Sequence, residues 1–529
     1  MPHRSARPTE PARPDDATAR AVVIGGGIAG LVAARELSVS GHAVELFESS
    51  GAFGGSVGAH TVAGLVLDAG ADSFATRNTA VADLLGELGL GDDIVLPLGG
   101  GAWLYSEAAR HGDDGGADAG AGDDPAARSG RTATAQPLPQ TGILGIPGDP
   151  WADDVKSAIG AAGCRRAAAD LDMPVTDRLA DEPVSLGELV RARMGGAVLE
   201  ALVAPVVSGV HSADPDTLDV DTVAPGLRAA LVRHGSLARA VAAVRAAAPA
   251  GSAVAGISGG MNRLAAALVE DLRDRGAVLH PDHEVLSLGR SAPERGPGGR
   301  DGGGTEGDDG GARRPWSVVV RGAGGAERAV AADRVVVATD GPTAVDLLAP
   351  LSPDLSRHRP ARGAGVALVT LVVDRPELDE APRGTGLLVA AGAPGVTAKA
   401  LTHATAKWAW LADEAGPGTH VLRLSFGRVS ETGARLADAP DGELFRAAVA
   451  DAGTLLGVAL EESDVLGWDV VRYGGALPFA TTGHRDRVAA FRAEVGELEG
   501  VDVVGAWLSG TGLAAVVSDT RDRLAISAT

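Results

Sequence analysis

The 529-residue chain is poor in cysteine and in aromatic side chains. Its one cysteine, Cys164, excludes an intramolecular disulfide framework and any cysteine-rich metal site. The surrounding "AAGCRRAAAD" carries no motif of a catalytic thiol, so we expect Cys164 to be an ordinary small buried residue. The two tyrosines, Tyr105 and Tyr473, are too few to build an aromatic cage around a cationic substrate.

Long hydrophobic runs and positive charge are also scarce. No stretch reaches the roughly 18 uncharged apolar residues that a membrane-spanning helix needs. The N-terminal "MPHRSARPTEPARPDDATAR" is polar and rich in Pro and Arg, which favours a disordered tail over a secretion signal. With three lysines and a net charge of −22, the chain is a poor partner for nucleic acid or anionic lipid. We therefore expect a cytoplasmic protein, with peripheral membrane contact left open.

Two segments have a composition that cannot form a hydrophobic core. Residues 106–136 and residues 289–315 are rich in Gly and Asp and nearly free of large apolar side chains. Both are predicted to be disordered insertions. Between them, residues 150–250 show apolar residues at helical spacing and predict a mostly helical block. The length of the whole chain indicates two or three domains.

A glycine-rich turn is predicted to join the first strand to the first helix. The stretch "AVVIGGGIAGLVAARELSVSGHAVELFE" places Gly25, Gly27 and Gly30 in the spacing G-x-G-x-x-G, followed by a helix over about 28–40. The first glycine permits the tight turn, the second admits a pyrophosphate and the third allows close helix–strand packing. The helix N-terminus adds free amides and a positive dipole. The pattern predicts a dinucleotide site.

A carboxylate at the end of the second predicted strand narrows the choice of dinucleotide. Glu48 follows Gly30 by 18 residues, where an acid accepts hydrogen bonds from ribose hydroxyls. An acid at this position disfavours a 2′-phosphate, and with it NADP as the ligand of this site. From these residues alone, NAD and FAD both remain open. The C-terminal "GVDVVGAWLSGTGLAAVVSDTRDRLAIS" has the pattern of strand, Gly-rich turn and helix, so the dinucleotide half is predicted to be completed at the end of the chain.

Further blocks resemble a known family. "ESSGAFGGSVGAH" contains Gly54 and Gly55 and is similar to the second glycine motif of amine-oxidase-type flavoproteins, although Ser56 stands where that group has a basic residue. "LDAGADSFATR", "PLPQTGILGIP", "EPVSLGELVRARMGGAVLEALVAPVVSGVHSADPDTL", "RYGGALPFATTGHRDRV" and "GAWLSGTGLAAVV" resemble blocks of the protoporphyrinogen and coproporphyrinogen oxidases. The resemblance covers about 20–524 apart from the two insertions.

The resemblance implies an α/β plus α architecture. A Rossmann-like, glutathione-reductase-like FAD-binding domain would be joined to a mixed-sheet substrate domain and an inserted helical domain. The implied division is FAD-binding at 18–66, 251–345 and 496–529, substrate domain at 67–136 and 346–495, and helical domain at 137–250.

The resemblance also implies which residues contact FAD and substrate. The expected FAD contacts are Gly25, Gly27, Ile28, Ala29, Gly30, Glu48, Gly54, Gly55, Gly70, Ala71, Asp72, Ser73, Val285, Trp507, Gly510, Gly512 and Leu513. The expected substrate contacts are Arg77, for which a solvated structural role is the alternative, with His403 and Lys407. A guanidinium binds a substrate carboxylate in bidentate fashion. For His211 and His484 a packing or structural role is the simpler interpretation.

The implied reaction is oxidation of a porphyrinogen to a porphyrin by FAD, with O2 as acceptor and H2O2 as product. Coproporphyrinogen III is the favoured substrate and protoporphyrinogen IX the alternative, with a ferrochelatase as the enzyme that would take the product. Because the cofactor carries the chemistry, the lack of a recognisable catalytic triad or metal cluster in the sequence fits this reaction. An amine oxidase, a carotenoid desaturase and a non-catalytic partner protein are the weaker alternatives.

Overall fold

The computed structural model describes residues 19–107, 133–138, 142–211, 213–247, 253–291, 315–361, 363–427, 437–477 and 481–526. Residues 1–18 of the predicted N-terminal tail and most of both Gly/Asp-rich segments lie outside these ranges. Arg20, the last residue of the predicted tail, begins strand Arg20–Ile24. The described ends of those segments are better ordered than composition predicts. Residues 106 and 107 belong to strand Trp103–Glu107, residues 133–136 to strand Ala133–Pro137, and residues 289 and 290 to strand Glu284–Arg290.

A five-stranded parallel sheet forms the centre of the dinucleotide-binding half. Its strands, in spatial order, are Val278–His280, Ala43–Phe47, Arg20–Ile24, Arg334–Val337 and Val501–Val503. Apolar side chains fill the central strands, as expected for a parallel sheet covered on both faces. The sheet is therefore assembled from the two ends and the middle of the chain, as the C-terminal pattern predicted.

Helices and a second sheet cover its two faces. Helices Ile28–Val39, Asn262–Asp274 and Leu513–Ile526 bury Leu31, Leu264 and Val517 in one cluster. On the other face lie helix Gly341–Leu348 and an antiparallel sheet of Glu284–Arg290, Trp316–Arg321 and Glu327–Ala332. The observed helix Ile28–Val39 agrees closely with the helix predicted from the glycine turn.

The block predicted to be helical is helical. Its elements are Asp153–Ala168, Asp177–Asp181, Leu186–Met194, Gly196–Val198, Ala204–His211, Val220–Val223, Leu227–His234 and Leu237–Ala247, with a π-helical turn at Leu199–Val203. They pack around one apolar cluster that includes the buried Cys164. Burial raises the pKa of its thiol, which fits the small structural residue expected. The side chain of His211 lies outside the described part.

A seven-stranded mixed sheet forms the other half. Its strands, in spatial order, are Val465–Leu477, Ala364–Asp374, Thr419–Phe426, Ala400–His403, Gly386–Val389, Trp103–Glu107 and Ala133–Pro137. The pair Gly386–Val389 and Trp103–Glu107 is parallel and the others are antiparallel. Helix Asp441–Leu456 packs on this sheet through Leu444 and Leu455.

Short elements connect these layers. The remaining strands are Ala59–Val62, Leu65–Asp68, Phe74–Ala75, Ile94–Val95, Gly142–Ile143, Ile146–Pro147 and Val254–Ile257. The remaining α-helices are Ala80–Glu87, Ala404–Lys407, Ala409–Ala415, His484–Val495 and Ala506–Ser509. Within the described ranges, no helix is long and apolar enough to cross a bilayer. The domain boundaries given above remain predictions.

Candidate active site

The glycine turn has the geometry that its sequence requires. Gly25 has φ +104°, and a Cβ there would lie 2.7 Å from the carbonyl oxygen of Ala338. A Cβ on Gly30 would lie 1.8 Å from the carbonyl oxygen of Gly25. A Cβ on Gly27, by contrast, would meet nothing within 4 Å. Gly25 and Gly30 therefore permit the fold, whereas Gly27 keeps a space open.

That space lies at the start of the first helix. Gly27 is the N-cap of Ile28–Val39 and supplies no side-chain cap, so amides of the first helical turn remain available to a ligand. Gly27, Ile28 and Ala29 line a cavity of about 430 Å³. Free amides at a helix N-terminus are a suitable site for a pyrophosphate.

The second glycine pair packs directly on the first. The Gly54 N–H donates to the carbonyl of Gly26 at 2.8 Å, and Gly54 forms a parallel bridge with Gly27. Gly54 and Gly55 have φ values of +110° and +56°, a backbone region that other residues rarely adopt. Gly55 also lines the 430 Å³ cavity, together with Ser56, which brings no charge to it.

Glu48 is located at the other end of the turn. Its Oε2 accepts from the Gly26 N–H at 2.7 Å, and its Oε1 accepts from the Ser50 N–H at 2.7 Å. Glu48 and Val285 line a second cavity of about 400 Å³. The position is compatible with the ribose and adenine end of a dinucleotide, and the contact of Glu48 with ribose stays a prediction.

The two cavities are adjacent, since both are lined by Gly27, Ala338, Thr339 and Asp340, and we refer to them together as the trough. At the far end, Gly505, Trp507 and Leu513 close the first cavity. Gly510 and Gly512 lie between these residues in the chain, and a Cβ on either would meet nothing within 4 Å. The trough therefore combines an N-terminal glycine turn with a C-terminal segment, and its residues fit an extended dinucleotide.

The segment from Gly70 to Ser73 lies against this trough. The Ala71 N–H donates to the carbonyl of Ser56 at 2.7 Å, and Arg423 Nη1 donates to the carbonyl of Gly70 at 2.6 Å. A Cβ on Gly70 would lie 2.3 Å from the Ser56 oxygen and 2.9 Å from Tyr473 Oη. The contact is too close for any residue except glycine.

Asp72 binds two cations from the seven-stranded-sheet half. Its Oδ2 lies 3.0 Å from Lys407 Nζ and 3.3 Å from Arg423 Nη2. Burial raises the pKa of Asp72, but Arg423 and Lys407 more than offset this, so the pKa is lowered overall. The structure thus pairs Lys407, expected at the substrate, with Asp72, expected at the cofactor.

The three expected substrate contacts do not converge. His403 is fully buried, with Nε2 3.0 Å from Nδ1 of His420, and burial lowers the pKa of His403 to about 4. His403 therefore faces the core and is not carried forward as a substrate contact. Arg77 is exposed after strand Phe74–Ala75. Its expected role stays a prediction.

The sequence analysis did not identify Arg423 and Tyr473 as residues of the candidate site. Arg423 holds Gly70 and Asp72, and Tyr473 lines the trough. Tyr473 lies within "RYGGALPFATTGHRDRV", one of the resembling blocks, so a signal was available for it. For Arg423, the only signal was a charge between Leu422 and Leu424 on strand Thr419–Phe426.

The chain matches the sequence model of a known protein family. The model for flavin containing amine oxidoreductases matches residues 28–518. The chain belongs to this family. Its cofactor is FAD, in agreement with the trough and with the sequence-based expectation.

Relatives match over nearly the whole chain. The coproporphyrinogen III oxidase of Mycobacterium tuberculosis H37Rv is 30% identical over 501 residues, covering 94% of each protein. That of Propionibacterium freudenreichii is 29% identical and covers 97% of this chain and 91% of the relative. A crystal structure from Exiguobacterium sp. 255-15 superposes with a TM-score of 0.73 at 24% identity, covering 97% of this chain and 99% of that one. This last likeness shows the fold alone.

Proposed function

We propose that the chain converts coproporphyrinogen III to coproporphyrin III. The observation that carries the proposal is the match over nearly the whole chain to proteins of that name, in a chain whose trough is lined by residues from Gly27 to Leu513. The chain has both glycine motifs and the C-terminal segment 505–513 at the trough. Their presence supports an enzyme rather than a non-catalytic partner protein.

The reaction removes six electrons and six protons from the porphyrinogen in three two-electron steps. FAD, when bound, supplies electron acceptance from the substrate and transfer to O2, so that three O2 become three H2O2. This balance needs no further oxidant. The chain's own part is to hold the macrocycle against the cofactor and to exclude water from it.

The residues around the trough suit that positioning role. The two charged residues that line its 430 Å³ cavity are already engaged. Asp340 accepts from the Thr343 N–H at 3.2 Å as a helix cap, and Arg472 pairs with Asp441. The remaining wall is mostly backbone and apolar side chains, including Trp507. Such a wall would hold the planar ring of FAD, against which the substrate would lie, without exchanging protons with it.

The deciding experiment is an aerobic assay of purified FAD-loaded protein with coproporphyrinogen III and with protoporphyrinogen IX. Porphyrin fluorescence and H2O2 are followed together, and we expect three H2O2 per coproporphyrin formed. A higher kcat/KM for protoporphyrinogen IX would reverse the substrate assignment. A protein that binds FAD but oxidises neither compound would refute the proposal.

Arg77 is proposed to bind a substrate carboxylate. Arg77→Ala should raise the KM for coproporphyrinogen about tenfold, the effect of losing one charge-assisted contact of about 1.4 kcal/mol, with FAD content unchanged. Arg233→Ala, which removes an equally exposed arginine from the helical block, serves as the control. An unchanged KM in the Arg77 variant would remove this assignment.

The same proposal includes the cellular location of the reaction and the transfer of its product to the next enzyme. We propose action in the cytoplasm and delivery of coproporphyrin III to a ferrochelatase. A coupled assay should then form the iron porphyrin without a lag when the two enzymes are mixed at equal concentration. A lag as long as that with free coproporphyrin would argue against direct contact.

A further inference from the structure

A separate basic cavity lies beside the FAD trough. It has a volume of about 220 Å³ and is enclosed by residues 357–361 and the helix His484–Val495. The cavity shares Pro360, Ala361 and Trp507 with the trough. A group bound in it would be one side chain's thickness away from the cofactor cavity.

Part of its positive charge is already neutralised. Arg357 and His358 both contact Glu494, with His358 Nε2 3.0 Å from Glu494 Oε1. Arg359 forms a bidentate pair with Asp346, with both contacts at 2.8 Å. These cations need no further partner.

Arg487 differs from Arg357, His358 and Arg359. Within the described ranges its guanidinium donates to neutral acceptors, the carbonyls of Thr482 at 2.8 Å and Thr481 at 3.0 Å and the Thr481 hydroxyl. The nearby Asp219 is already used, since Oδ1 accepts from the Thr222 N–H at 3.0 Å and Oδ2 from the Gly483 N–H at 2.9 Å. The charge of Arg487 therefore has no anionic partner among the described residues.

Two further donors lie at the same cavity. His484, half-buried, is the first residue of the helix and lines the cavity with Arg487. The Trp507 indole N–H is buried, and the described residues offer it no acceptor. Of these groups, Arg487 is exposed and only the Trp507 N–H is both buried and unpaired among the described residues. An unpaired buried donor is costly, so the Trp507 indole indicates a missing acceptor at this cavity. None of the residues lining the cavity is a carboxylate.

We propose that this cavity binds one carboxylate arm of the substrate, with Arg487 as its principal partner. The inference rests on the proposed function, since the macrocycle must lie against the cofactor for an arm to reach past Trp507. A guanidinium binds carboxylate through two parallel hydrogen bonds, and 220 Å³ is ample for a propionate. Coproporphyrinogen III carries four propionates, and protoporphyrinogen IX has vinyl groups in place of two of them. We assign the cavity to one of these two propionates, so it would favour coproporphyrinogen III.

The test compares the two porphyrinogens on Arg487→Gln. We expect the KM for coproporphyrinogen to rise about tenfold, which is 1.4 kcal/mol, while that for protoporphyrinogen changes less than threefold. Arg485→Gln, an exposed arginine two residues away, removes the same charge outside the cavity and should change neither. A parallel loss for both substrates, or an equal loss in the Arg485 variant, would overturn the inference.

Direct binding provides a readout independent of turnover. The Kd of coproporphyrin III is measured by absorbance titration on FAD-loaded wild type, Arg487→Gln and Arg487→Lys. We expect a tenfold weaker Kd for Gln and a smaller loss for Lys, which keeps the charge without the bidentate geometry. If wild type binds coproporphyrin and the Gln variant binds it equally, the cavity is not the subsite. If wild type oxidises no porphyrinogen, the proposed function fails first.

Discussion

Lys407 Nζ lies 3.0 Å from Asp72 Oδ2, although the two residues are 335 positions apart. Asp72 belongs to the segment that packs on the FAD trough, and Lys407 ends helix Ala404–Lys407 beside the seven-stranded sheet. The side chains are about one-sixth exposed, so the pair is partly shielded from solvent. We interpret Lys407 as a residue that positions the Gly70–Ser73 segment.

This role predicts the effect of Lys407→Met. Asp72 would keep Arg423 but lose one of two cations, and we expect a loss of about 2 kcal/mol in the free energy of unfolding, below the range for breaking a fully buried pair. FAD should dissociate more easily, while the KM of the FAD-saturated enzyme stays within twofold of wild type. Urea unfolding and FAD titration measure both quantities.

Lys156→Met provides the control, because Lys156 is exposed on helix Asp153–Ala168. It should leave both stability and FAD affinity unchanged. A large rise in KM for Lys407→Met, with normal FAD affinity and stability, would instead support the original expectation that Lys407 contacts substrate.

Two glycines of the same motif should respond differently to alanine. Gly27→Ala places a methyl group in open space at φ −69°, so the apo protein should fold with equal or slightly higher stability. That methyl group would occupy the space where the pyrophosphate approaches, so we expect at least a tenfold weaker FAD Kd. Gly30→Ala meets the Gly25 carbonyl and should lower the Tm of the apo protein. Equal effects of both variants on apo Tm would contradict this division of roles.

The glycine turn could be predicted because its determinants are local. Gly25 and Gly30 are needed by contacts within the turn and its neighbouring strand, and a helix N-terminus creates its anion site from its own first residues. The parallel strands were equally clear, since strands buried on both faces give continuous apolar runs. The same patterns predicted that segments from the N- and C-terminal ends of the chain meet in one domain.

The contacts between the two halves could not be predicted. Asp72 meets Lys407 and Arg423 only after separate sheets come together, and no local pattern encodes that distance. His403 shows a second limit. On strand Ala400–His403 it shares a face with the buried Leu401, because side chains two apart point the same way. Which face meets the core is a tertiary property.

The buried pair His403 and His420 makes the free energy of unfolding depend on pH. His420 Nε2 also faces Asp379 at 3.1 Å, and Thr405 Oγ1 lies 3.3 Å from His420 Nδ1. Burial, with His420 adding to it, lowers the pKa of His403 from 6.5 to about 4, and burial also lowers that of His420. In the unfolded chain both rings bind protons near pH 6.5.

The unfolding free energy should therefore be independent of these rings above pH 6.5 and should fall as the pH drops from 6.5 toward 4, because the unfolded state then binds more protons. For His403 the full loss is about 3 kcal/mol, reached near pH 4. Between pH 6.5 and pH 4, His403→Gln should reduce the slope of the unfolding free energy against pH, measured by urea unfolding. The reduction should correspond to at most one bound proton. His234→Gln, at an exposed position, should leave the slope as in wild type. An unchanged slope in His403→Gln would mean that the ring is not held neutral in the folded protein.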